Sequence, residues 1–145
     1  MQCRYAGHLT KFYSVAEHSV WVSKMCPPRH ALWGLMHDAA EAYITDIPTP
    51  VKNCVPGIRD LEDFLLGRIA IRFNLPTLKA PVEVKEADVR MLMTEKEQFY
   101  PGVDIRDWEV LSKPYSGVFL DCFIPTVAER LFIARFNELT KCSLT

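Results

Sequence analysis

Proline divides this chain, and between the divisions the apolar residues keep helical time. Pro27 and Pro28, Pro48 and Pro50, Pro76 and Pro81, and Pro125 stand where no regular helix or central strand can run on, because proline lacks a backbone N–H and fixes φ. Between them, apolar residues recur every three or four positions rather than every second one. Ser14-Val15-Ala16-Glu17 reads as a capping box, the Ser14 hydroxyl closing the first turn and Glu17 reaching back to it. It opens a first helix that carries His18 and stops at Pro27. Further helices are expected from about Pro28 to Tyr43, from Ile58 to Phe73, from Pro81 to about Tyr100, at Asp104 to Leu111, and from Pro125 through Leu139. In the Ile58–Phe73 helix the expected packing residues are Leu61, Phe64, Leu65, Ile69 and Phe73. No segment reads convincingly as a strand. The expectation is an all-α fold: residues 1–145 as one compact helical bundle of about five to seven helices.

Bulk properties narrow the function classes. A chain of 145 residues suits one domain that buries about two thirds of its unfolded surface. With a net charge of −1 and a pI near 6.4 there is no global basic field, so a nucleic-acid polymer is not the expected partner. No run of apolar residues is long enough to cross a membrane. The amino-terminal MQCRYAGHLTKFY has no charged region followed by a long apolar run, so a cytoplasmic location is expected. The five cysteines are scattered without a CxxC pair and read as reduced thiols.

The polar chemistry is concentrated in HDAAEAYITDIPTPVK, residues 37–52. His37 follows the apolar run PRHALWGLM and so arrives within a helix, where Glu41 shares a face with both His37 and Asp38. The prolines of TDIPTPVK are expected to hold an extended, rigid loop presenting Asp46 and Lys52. Two other helices offer His18 and Asp88. Two imidazoles and two carboxylates form a mixed nitrogen and oxygen donor set, which suits Mn, Fe, Co, Ni or Zn better than Mg or Ca. There is no HExxH, which argues against a zinc peptidase.

AEHS around His18, HDAAE at His37, TDIPTPVK at Asp46 and VKEAD at Asp88 resemble, in order and spacing, the HD-domain metal-dependent phosphohydrolases. The most similar branch is that of bacterial 5′-deoxynucleotidases and small phage dNTP (dATP) triphosphohydrolases, over roughly residues 4–95. The resemblance implies metal ligands His18, His37, Asp38 and Asp88, catalytic Glu41 and Asp46, and substrate-binding Arg4, Tyr5, Lys52 and Lys85, with Tyr5 able to stack on a base. It implies one divalent transition metal, with a second Mg on the substrate phosphates as a further option. The cytoplasm of a bacterial or phage-infected cell and a deoxynucleotide substrate complete the picture; separately, the aromatics and the small size of the chain lead to the expectation of a homo-oligomer. No histidine follows residue 37, so the extra ligands of two-metal relatives are missing. Cleavage of the 5′ phosphoester of a 2′-deoxynucleotide is expected, leaning to a dNTP giving deoxynucleoside and triphosphate. The alternatives are a nucleotidase acting on dNMPs and a non-catalytic nucleotide-binding module. His8, His30, Glu17 and Glu95 are expected to be structural or surface residues.

Overall fold

A computed structural model describes residues 2–100 and 112–141; the helix expected at Asp104–Leu111 lies outside the described residues. The α-helical segments are α1 (Val15–Met25), α2 (Ala31–Met36), α3 (Glu41–Ile44), α4 (Thr49–Cys54), α5 (Ile58–Arg72), α6 (Val82–Phe99) and α7 (Pro125–Lys141), with 3-10 turns at Arg4–Gly7 and Pro28–His30. Among the described residues there is no strand, only an isolated antiparallel bridge between Cys3 and Ser14. The fold is all-α.

The centre of the bundle is α1. The Ser14 hydroxyl accepts the Glu17 N–H at 3.0 Å and so caps the helix. With α2, α6 and α7 all packed on it, α1 is buried on most of its circumference, at Glu17, His18, Ser19, Val20, Val22 and Ser23. Its approach to α2 is close because Gly34 lacks a side chain. A Cβ there would lie 3.0 Å from the Ser23 Cα and 2.8 Å from the Cys26 Sγ. The Ser23 hydroxyl donates to the Ala31 carbonyl at 2.8 Å across the same contact. Val22, Trp33, Met36, Ile69, Val84 and Met91 meet in the core.

Four expectations need correction. The Pro28–Tyr43 helix is divided: α2 ends at Met36, and i→i−3 bonds follow from Ala39 to Met36, Glu41 to Asp38 and Tyr43 to Ala40, at 2.9–3.0 Å. Where the ladder stops, the Gly34 carbonyl accepts from the His37 ring at Nδ1, 2.8 Å away, so the acceptor is satisfied by a side chain. His37 is therefore at a helix end. The TDIPTPVK segment, expected to be extended, becomes helical from Thr49, since Pro50 falls in the first turn of α4, where a missing N–H costs nothing. In α5 only Ile69 and Ala70 are buried, while Leu61 and Phe64 face solvent; only the carboxyl-terminal part of that helix reaches the core. Phe73, just beyond it, packs edge-on against Phe136. Glu17 leaves the capping box half made. Its carboxylate instead accepts the N–H groups of Asp121, Cys122 and Phe123 at 2.8–3.1 Å, tying the approach to α7 onto α1.

Candidate metal centre and adjoining cleft

Three segments bring their polar ends together: α1 with His18, the turn after α2 with His37 and Asp38, and α6 with Asp88. His18 Nε2 lies 3.2 Å from His37 Nε2, 3.6 Å from Asp38 Oδ2 and 3.1 Å from Asp88 Oδ1. His37 Nε2 lies 3.3 Å from the same Asp38 oxygen and 3.6 Å from the same Asp88 oxygen. Ligand atoms about 2.1 Å from a shared ion sit about 3.0–3.4 Å apart in octahedral or tetrahedral arrangements; three of the five separations fall in that range and the other two, at 3.6 Å, lie just beyond it. His18, His37 and Asp38 form a group that could hold a metal.

The imidazoles are aimed from behind. Glu95 Oε1 accepts from His18 Nδ1 at 2.5 Å and the Gly34 carbonyl from His37 Nδ1 at 2.8 Å, so each ring turns its Nε2 lone pair toward the cluster. Glu95 is fully buried and also accepts from the Tyr13 hydroxyl at 2.9 Å, the Tyr5 hydroxyl at 2.6 Å and Arg4 Nη2 at 3.2 Å. Burial opposes its charge, yet Arg4 and His18 outweigh that and hold its pKa down at about 2. The expectation of a structural or surface residue misses these contacts; the signal in the sequence is that Glu95 stands on the Asp88 face of α6. Burial likewise opposes the His37 imidazolium, but the Asp38 and Asp88 carboxylates raise its pKa well above the usual histidine value.

A cleft of about 710 Å³ opens beside the cluster, lined by Arg4, Tyr5, Glu41, Asp46, Lys52 and Asp88 among others. Arg4 is buried, and its Nη1 donates to Asp38 at 3.1 Å, so it links Asp38 to Glu95. Tyr5 and Ala6 both adopt left-handed backbone, φ 57° and 50°, a conformation that costs side-chain-bearing residues energy and is found where function demands it. There the Tyr5 N–H donates to Asp46 at 2.6 Å and fixes that carboxylate in the cleft. Glu41 is buried, and its Oε2 has no hydrogen-bond partner. Burial first, then the neighbouring Asp38 and Asp46 charges, push its pKa up to about 9.

The two lysines part company. Lys52 lines the cleft but its ammonium pairs with Glu62 of α5 at 2.5 Å. Lys85 is exposed and, with Lys79, lines a separate recess of about 260 Å³ that also borders His37, Asp38 and Asp88. Asp38 and Asp88 thus border both openings. His8 is exposed, and His30 stands half-buried near Glu83, at 3.6 Å, away from the cluster. No described helix is long and apolar enough to cross a membrane.

No family model matches the chain. It is similar to the uncharacterized protein YfdR of Escherichia coli K12, 40% identical over 147 residues, an alignment that takes in 97% of this chain and 81% of YfdR. It is also similar to the uncharacterized protein RCAP_rcc00048 of Rhodobacter capsulatus, 34% identical over 144 residues, or 89% of this chain and 74% of that protein. At this identity and coverage, the chain belongs to the protein family that includes YfdR.

Proposed function

We propose that this protein is an HD-domain, metal-dependent phosphohydrolase that cleaves the 5′ phosphoester of a 2′-deoxynucleotide. One observation carries the reading: two imidazole nitrogens lie 3.2 Å apart, and a carboxylate oxygen of Asp38 and one of Asp88 each lie 3.1–3.6 Å from both, next to a buried Glu41 with one carboxylate oxygen unpartnered. His18, His37, Asp38 and Asp88 would hold one divalent transition ion. Such an ion, when bound, polarises a phosphoryl oxygen and acidifies water.

The side chains then divide the work. Arg4 lines the cleft while its two terminal nitrogens hold Asp38 and Glu95, so it would offset phosphate charge from behind the metal ligands. Tyr5, fixed in the cleft wall, offers a ring face to a base or sugar. Glu41 keeps its own proton while the Asp38 and Asp46 charges beside it stand unbalanced; with a cation held at Asp38 that charge is offset, and Glu41 would then take the proton of the attacking water at its unpartnered oxygen, while Asp46 stands ready to relay a proton to or from the sugar oxygen. Water attacks the α-phosphorus in line with the 5′ oxygen. The P–O5′ bond breaks, and deoxynucleoside leaves with a proton on O5′.

A dNTP is the favoured substrate. The larger cleft suits a nucleoside, and the recess on the other flank of Asp38 and Asp88, which holds Lys85 and a Lys79 paired with Asp63 at 3.4 Å, would take the polyphosphate tail. A second reading, hydrolysis of dNMPs, is favoured by the Lys52–Glu62 pair, which takes one cation away from the phosphates. Incubation of the Mn- or Co-loaded protein with each dNMP and dNTP, with products separated by chromatography, tests both. Deoxynucleoside and triphosphate from a dNTP is the expected result; deoxynucleoside from dNMPs alone would select the second reading. Glu41→Ala should lower turnover by at least about 100-fold, and unchanged turnover would overturn the catalytic assignment.

A further inference from the structure

The buried carboxylate of Glu95 is divided between two regions, one oxygen to each. Oε1 accepts from His18 Nδ1 at 2.5 Å and from the Tyr13 hydroxyl at 2.9 Å, where α1 begins. Oε2 accepts from Arg4 Nη2 at 3.2 Å and from the Tyr5 hydroxyl at 2.6 Å, both on the amino-terminal segment that walls the cleft. Four donors thus use the four lone-pair positions of one carboxylate. The donors differ in kind. Arginine can only donate, whereas a tyrosine hydroxyl and an imidazole nitrogen can also accept. They differ in freedom as well: His18 is fully buried within α1, while the long side chain of Arg4 can follow a partner that moves.

We propose that Glu95 is a positioning residue with two separable roles, holding His18 for the metal through Oε1 and the cleft wall through Oε2. The inference rests on the metal-dependent reading above and needs no particular substrate. Glu95→Gln separates the roles by chemistry. Its amide oxygen must face Arg4 and Tyr5, because an NH2 against a buried guanidinium would set donor on donor. The NH2 then falls beside His18 Nδ1, which can meet it only as an acceptor. The ring proton moves to Nε2, where Asp88 Oδ1 lies 3.1 Å away to receive it. The lone pair that an ion needs is then gone. Arg4 keeps its bond to Asp38, so that ligand stays in place. A carboxylate that merely balanced the Arg4 charge would give the reverse pattern, with the cleft wall damaged first.

Zinc and cobalt affinity, measured by chelator competition on the full chain, should fall at least about tenfold in Glu95→Gln. Long-range nitrogen–proton NMR spectra of the metal-free protein should find the His18 Nδ1 proton in wild type and none there in the variant. Hydrogen exchange should leave the amino-terminal segment as protected as before, since the Arg4 and Tyr5 N–H groups still donate to the Tyr13 carbonyl and to Asp46. Tyr5→Phe is the mirror image: metal affinity within about twofold of wild type, with that segment exchanging at least about fivefold faster. Glu95→Asp keeps the charge beside Arg4 but draws the carboxylate back from a ring that cannot follow. It should lose metal likewise, and it decides the matter if Glu95→Gln does not fold. Unchanged metal affinity in the Glu95 variants would overturn the inference alone, as would a proton kept on His18 Nδ1 in Glu95→Gln or an equal loss of metal in Tyr5→Phe. A wild-type chain that binds neither ion would overturn the metal centre with it.

Discussion

Burial and two neighbouring carboxylates keep a proton on Glu41 far above the usual carboxylate range, to about 9. In the unfolded chain the same group loses its proton near 4.5. With chelator present, the native state therefore binds the extra proton between those values, and Glu41 subtracts from stability as the pH rises through them. Glu41→Gln removes that loss. The variant should melt close to wild type at pH 5 and be more stable by at least about 1 kcal/mol at pH 9, roughly 2–4 °C in Tm. Parallel curves of Tm against pH would show that Glu41 is not held protonated. At this scale His18, His37, Asp38 and Asp88 could be picked out from the sequence because their types and spacing are rare together. Glu95 shows in the sequence only as a neighbour of Asp88 on one face of α6; its role is hidden because its donors Arg4, Tyr5, Tyr13 and His18 lie far from it in the chain. The pairing of Lys52 with Glu62 was hidden for a similar reason, since it depends on how α4 leans on α5.

The contact of α1 with α2 sets the distance between the two histidines. At its closest point Gly34 leaves no room for a Cβ over Ser23 and Cys26. Gly34→Val should cost about 1–3 kcal/mol from overpacking, and by moving α2 it should also weaken metal binding. Ser14→Ala gives the contrast: a lost cap costing about 1 kcal/mol, with metal affinity unchanged. Isothermal titration beside thermal melts separates the two, and equal metal affinity in Gly34→Val would show that the contact does not tune the site. Helix periods and proline positions gave the existence of α1, α5, α6 and α7. They could not give the break at His37, where the ring nitrogen takes the Gly34 carbonyl. Nor could they say which side of α5 has a partner: the 3.6-residue pattern continues over Leu61 and Phe64 although the core ends near Ile69.

Across the whole molecule, His18, His37 and Asp88 come from three elements that only the folded state brings together, so a metal should stabilise folding by mass action. At 100 times its dissociation constant the expected gain is about 2.7 kcal/mol, or roughly 5–10 °C in Tm. His18→Ala should abolish the rise, and a wild-type protein whose Tm ignores Mn, Co, Ni, Fe and Zn would refute the centre. The sequence by itself determined the all-α class, the main helical segments and the polar residue types available for chemistry, because helical period, proline geometry and side-chain identity are local properties. Only the tertiary structure decided that Arg4 is buried between Asp38 and Glu95, that Glu41 keeps an unpartnered oxygen, and that Lys52 and Lys85 border different openings. Each of those depends on distances between segments far apart in the chain, which packing sets and no local pattern encodes.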